Sequence, residues 1–185
     1  MVPPQLVQWL AQTYPKPQVD AEWLDACYNW VSTECGLNPA TDMPAIRDQV
    51  EAQLLQSDLS DSMISGTGLP ANVSELTGTN LRGPPTLVEI VDMTDIGQSA
   101  FSLHNVRQTR IDRADLAGLA EDDGGEDDGP VPRYPRSMLR LQLSDGTTTL
   151  NAIEFRKLPE LELGETPLGY KVLYFSKRLL FFENT

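Results

Sequence analysis

Histidine and cysteine are nearly missing from this chain: His104 stands alone, and Cys27 and Cys35 are the two thiols among 185 residues. His104 has no second His, Cys pair or Asp at ligand spacing, so neither a metal centre nor a histidine general base has support. No Gly-x-x-x-x-Gly-Lys-Ser/Thr or Gly-x-Gly-x-x-Gly phosphate cradle occurs, and no nucleophile elbow built on serine. These absences argue against an enzyme and against a bound cofactor. The cysteines lie on one predicted helix about 12 Å apart along its axis, beyond disulfide reach, and are expected to be small buried hydrophobes in a reducing compartment. Long apolar runs are also missing. None approaches the roughly 18 residues of a membrane span, and Met1–Leu10 lacks a basic leader region, so neither membrane insertion nor secretion is expected. Basic residues are scarce too. Fourteen Lys+Arg against 27 Asp+Glu leave a formal charge of −13, which opposes autonomous binding to phosphate backbones.

What is present is 40% hydrophobic residues, enough for a real core in a chain of this size. Residues 1–62 read as a bundle of three helices. Leu6, Val7 and Leu10 share a face of the first, which starts near the prolines and ends before Tyr14-Pro15. In the second, Asp20 is the expected N-cap, Trp23, Leu24, Cys27, Trp30 and Val31 recur at helical spacing, and Gly36 ends the pattern. Trp23 and Trp30 are expected in the core, docking the bundle on the next domain. The third begins near Met43, with Asp42 as candidate N-cap and Ile46, Val50 and Leu54 one turn apart.

A passage rich in Gly, Ser, Thr and Asn from Ser60 to Gly83, closed by Pro84-Pro85, marks a change of architecture, and the period then becomes two. Thr86–Asp92 and Met138–Ser144 read as strands. In the latter Leu139, Leu141 and Leu143 point inward, with Arg140, Gln142 and Ser144 outward. Asp145-Gly146 is a hairpin signal into Thr147–Phe155, and Lys171–Phe175 and Leu179–Phe182 complete about five strands. That number suits a small OB-fold barrel over 63–185. The fold class is therefore α+β, a helical bundle followed by a barrel with a long insertion, about 97–136, between its first two strands.

Insertions of that length are usually functional or disordered. This one is read as a loop. It holds Ser99, Phe101, Leu103 and Val106, then Arg107, Arg110 and Arg113, then the acidic run Glu121–Asp128, then Arg133 and Arg136. The acidic run lacks the spacing of a calcium loop and reads as a solvated, mobile tip. The arginines either offset nearby carboxylates or touch a partner or its DNA. Phe101 is either a plug on one end of the barrel or an anchor for a partner's pocket.

Val7–Leu10, Trp23–Trp30, Leu54–Leu59, Val88–Phe101, Met138–Gly146 and Ile153–Phe155, in that order and spacing, resemble the family of RecQ-mediated genome instability protein 1. The resemblance implies an OB-fold subunit without catalysis of its own, in the nucleus, that binds topoisomerase III and works with a RecQ helicase. It further implies that the insertion reaches the topoisomerase's DNA gate and aids decatenation and dissolution of double Holliday junctions, with DNA contacted mainly indirectly. Ser99, Phe101, Leu103 and Val106 become the candidate partner-binding residues, joined by Lys171 on the topoisomerase-facing surface of the barrel. Arg107, Arg110, Arg133 and Arg136 become candidate contacts to DNA or partner. Tyr134 reads as a loop residue rather than a strand-cleaving tyrosine. Gly169–Thr185 departs from the family by leaving little room between the last two strands, so either a tight final hairpin or a missing segment is expected. Two other readings stand beside this one. A tudor-type adaptor of a topoisomerase III paralogue is disfavoured by the long insertion. A single-strand-binding OB-fold is disfavoured by the lack of any aromatic residue between Ser137 and Ala152.

Overall fold

A computed structural model of the chain describes residues 1–76, 81–119, 130–175 and 178–181. The acidic run Glu121–Asp128 and residue Phe182 lie outside them. The chain forms two compact units, one of Met1–Asp92, Leu141–Ala152 and Leu168–Thr185, the other of Met93–Arg140 and Ile153–Pro167.

The first unit is built on helices α1 (Pro4–Thr13), α2 (Ala21–Glu34), α3 (Met43–Gln56) and the short α4 (Leu59–Ser62). Proline opens α1 where its missing N–H would have no intrahelical partner anyway. Leu6 and Leu10 are buried, but Val7 turns out to solvent. Asp20 caps α2, its carboxylate accepting from the amides of Glu22 and Trp23 at 2.9 and 3.0 Å, so two donors that the helix cannot satisfy are paired. The buried stripe of α2 is Leu24, Tyr28 and Val31, which rotates the expected tryptophan seam out of the centre. Trp23 and Cys27 pack half-buried against the core edge, while Trp30 is 47% exposed. Residues one position apart sit about 100° apart on a helix, so a stripe through 24, 28 and 31 leaves 23, 27 and 30 on its flank. Cys35 is exposed, unlike the small buried hydrophobe expected. On α3, Ile46, Val50 and Leu54 are buried as the spacing implies. Asp42 does not cap α3: its carboxylate accepts the amide of Asn38 at 2.9 Å instead. Tyr14, buried at the end of α1, donates its hydroxyl to Glu51 of α3.

The strands are β1 (Thr86–Asp95), β2 (Leu139–Ser144), β3 (Thr149–Ile153), β4 (Lys171–Phe175) and β5 (Arg178–Phe181), in the order β3-β2-β1-β4-β5. The entry to β1 is tied to the segment after α1, since the Leu87 amide donates to the carbonyl of Lys16. Strand β1 runs antiparallel to β4 with Glu89 opposite Lys171. That pair is buried, its ammonium 2.9 Å from the Glu89 carboxylate and 2.9 Å from the carbonyl of Gly169. Lys171 is 5% exposed. A lysine first read as facing a partner is therefore a cross-strand brace, because its charge offsets a buried carboxylate that would otherwise be costly. Strand β4 pairs antiparallel with β5, with Phe175 opposite Arg178.

Between β2 and β3, Asp145 accepts hydrogen bonds from the amides of Thr147 and Thr148 and from Leu69 of the linker. One buried carboxylate thus closes the turn and pins the linker onto it. Ser144, expected outward, is buried because its hydroxyl accepts from the Gly146 amide within that turn. Gly146 adopts φ +91°, and a Cβ there would lie 2.5 Å from the carbonyl group of Leu59. Both left-handed backbone and close approach require glycine. Gly146→Ala is expected to cost about 1–3 kcal/mol, read as a lowered midpoint in urea unfolding. A midpoint equal to that of the parent chain would contradict the close packing.

Candidate partner-binding site on the insertion

The second unit contains the insertion. The segment read as a loop begins with a 20-residue helix, α5 (Ala100–Leu119). Ser99 starts it, its hydroxyl accepting from the Ser102 amide and its carbonyl from the Leu103 amide. No glycine or proline interrupts residues 100–117, so nothing local opposes the helix. The half-buried positions of its described side chains include Leu103, Val106, Arg110 and Arg113. They recur at steps of three and four, the spacing of a single helix face.

Two members of that stripe are cations whose hydrogen bonds are made inside the unit. Arg110 reaches the carbonyls of Pro132 and Gly164 at 3.4 Å each, pairs with Glu165 at 2.8 Å, and lies 5.4 Å from the ring centre of Tyr134. Arg113 donates to the carbonyl of Pro130 at 2.9 Å. Guanidinium suits this use, since its planar fork satisfies several carbonyls at once while stacking on an aromatic face. Tyr134 is thus a packing residue beneath Arg110, consistent with its reading as part of a loop.

Two buried carboxylates fix the base of the insertion. Asp95 accepts from the amide of Gly97 at 2.9 Å and from the amides of Ser137 and Met138, so one side chain holds the outgoing and returning strands together. Gly97 packs directly on the Ser137 side chain, leaving no room for a Cβ. Glu154 pairs with Arg136 in a bidentate fork at 2.6 and 2.7 Å and also accepts from the amides of Leu139 and Leu158. The Arg136 hydrogen bonds, aided by the two amides, outweigh desolvation and hold the Glu154 carboxyl down at about 2. Arg136, like Arg110, thus offsets a nearby carboxylate, one of the two roles the sequence left open for these arginines.

The opposite side of α5 is open to solvent. Phe101 is 74% exposed, which rules out the plug reading. His104 and Arg107 are exposed with it, and Ile111 is 43% exposed about 15 Å further along the axis. Arg133 is exposed in the returning segment, beside a cavity of about 270 Å³ lined also by Tyr134, Lys157 and Leu161. Of the candidate residues, Ser99, Phe101, Leu103, Val106 and Arg107 are brought together on or at the head of one helix. Arg133 stands apart on the returning segment, and Lys171 belongs to the first unit. Asp95 and Glu154 were missed by reading apolar periodicity, which is blind to an inward-facing acid.

Helices leading into an OB-fold, with a helix-bearing insertion between its first two strands, define the class of protein to which this chain belongs. A family model described as the RMI1 N-terminal helical domain matches residues 10–62, and one described as the RMI1 N-terminal OB-fold domain matches residues 69–175. The chain belongs to the RMI1 family. It is similar to RecQ-mediated genome instability protein 1 of Mus musculus, 32% identical over 165 residues that cover 89% of this chain and 25% of that protein. The protein of the same name from Danio rerio is 30% identical over 165 residues, 88% of this chain and 30% of the relative. That from Xenopus laevis is 29% identical over 160 residues, 86% and 27%. The chain thus spans between a quarter and a third of the length of these curated relatives.

Proposed function

We propose that the chain is a non-catalytic subunit of a nuclear RecQ helicase complex that binds topoisomerase III. Through the insertion it adjusts the opening of the DNA gate for decatenation and dissolution of double Holliday junctions. The observation that carries the reading is Phe101. A large aromatic side chain stands in solvent at the head of a helix whose other face is stapled down and whose base is clamped by Asp95 and Glu154. Exposing such a residue is unfavourable unless a partner covers it, and rigid presentation lowers the entropy lost on binding. The RMI1 family assignment supports the same reading.

Mixing the purified chain with its cognate topoisomerase III at physiological salt is expected to give a stable complex on size-exclusion chromatography. Separate elution of two folded proteins would remove the proposal.

A further inference from the structure

Among the described residues outside the insertion, the most exposed aromatic side chain is Phe155, at 93%. It does not stand alone. The Glu154 amide bonds the carbonyl of Leu139 and the Asp145 amide bonds that of Thr148, so partners across this hairpin sum to one constant register. Met138 then lies opposite Phe155, and Arg140 opposite Ile153. Leu139 and Glu154 face inward, which sends those four side chains to the outer face by alternation. Met138 is 45% and Ile153 61% exposed. Arg140 shares that face, the exposed Arg156 and Lys157 follow Phe155 directly in the chain, and no carboxylate pairs with any of the three among the described residues. Of the two acids between Arg140 and Arg156 in sequence, Asp145 and Glu154, both are buried, and Glu154 has its charge neutralised by Arg136.

We propose that the outer face of this hairpin, with Phe155, Ile153 and Met138 as its apolar floor and Arg140, Arg156 and Lys157 as its cations, is a docking site for an acidic peptide segment carrying apolar anchors. The charge arrangement selects that occupant. A chain with formal charge −13 leaves these three cations without an ion pair among the described residues, and unpaired cations beside an apolar floor complement carboxylates next to aliphatic or aromatic side chains. A nucleic acid would gain less. Two of the three floor residues are aliphatic and offer no stacking surface, and each added nucleotide brings a phosphate against the net charge of the whole chain. The site is separate from the α5 surface that carries the proposed topoisomerase contact.

The test is a selection of random twelve-residue peptides displayed on phage against the immobilised chain, with Phe155→Ser as counter-target. Phe155 is almost wholly exposed, so the variant is expected to keep the parent melting temperature. The recovered sequences are expected to be rich in Asp and Glu around one or two Leu, Phe or Ile. A labelled peptide of that kind is expected to lose at least tenfold in affinity with Phe155→Ser and with Arg140→Glu. Recovery of neutral or basic sequences, or of none that depend on Phe155, would overturn the proposal. So would tighter binding of a thymidine oligonucleotide at this face, self-association of the parent chain abolished by Phe155→Ser, or loss of topoisomerase III co-elution in that variant.

Discussion

Glu154→Ala is expected to destabilise the chain by about 3–5 kcal/mol, the usual cost of leaving a buried charge without its partner. The substitution orphans the Arg136 guanidinium, 14% exposed, and leaves the amides of Leu139 and Leu158 without their acceptor. Because the carboxylate satisfies two backbone donors as well as a cation, replacing the pair by Arg136→Met with Glu154→Leu should recover only part of the loss. The pH dependence follows from the direction of the shift. The carboxyl ionises at about 2 in the fold against 4.5 for the free group, so the unfolded chain binds the proton more readily. Its stabilising contribution is complete above the unfolded value and is lost as pH falls from there through the folded one. The displacement corresponds to about 3 kcal/mol. Urea unfolding of parent and variant near neutral pH and again near pH 2 should therefore show a gap that narrows in acid. A gap below about 1 kcal/mol at neutral pH, or one unchanged by acid, would contradict the central place given to Glu154.

The same residue shows where sequence reading stops. The alternation Leu139, Leu141, Leu143 and the turn at Asp145-Gly146 were both legible, because a two-fold period and a turn signal are local properties of the chain. Counting back from that turn places residue 154 opposite Leu139, on the inward face, and Phe155 on the outward one. The acid at 154 and the aromatic at 155 invert what polarity alone implies, so a search for apolar positions passed over both. Helix α5 escaped for a related reason. Its half-buried face is half arginine, and those arginines find their partners at residues 130, 132, 164 and 165. No local periodicity reports a partner 54 residues away. Trp30 and Lys171 fail in the opposite sense. Each had the right residue type for the role assigned, but the stripe of α2 turned one outward and Glu89 drew the other inward. Helix caps divide in the same way, since Asp20 and Asp42 are identical in type and only the first finds the amides of its own helix.

Phe101→Ala is expected to weaken binding to topoisomerase III by about 2–4 kcal/mol, the range of an aromatic anchor lost from a closed pocket, or roughly 30- to 700-fold in Kd. The side chain is 74% exposed in the free chain, so its removal should leave the unfolding midpoint where it was. That separation of effects distinguishes an anchor from a core residue. Leu103 and Val106 supply the contrast. They are half-buried on the stapled face of α5, so alanine there should lower stability first and binding only as a consequence. Isothermal titration of the parent chain and the Phe101→Ala variant against the topoisomerase, beside their urea curves, measures both quantities. A variant that binds within about threefold of the parent, or about 0.7 kcal/mol, would place the contact elsewhere on the arm. Equal loss of binding and stability would instead return Phe101 to a structural role. A clean loss of affinity with an unmoved midpoint would mean that α5, held by Arg110 and clamped by Asp95 and Glu154, is folded in advance to present this one side chain.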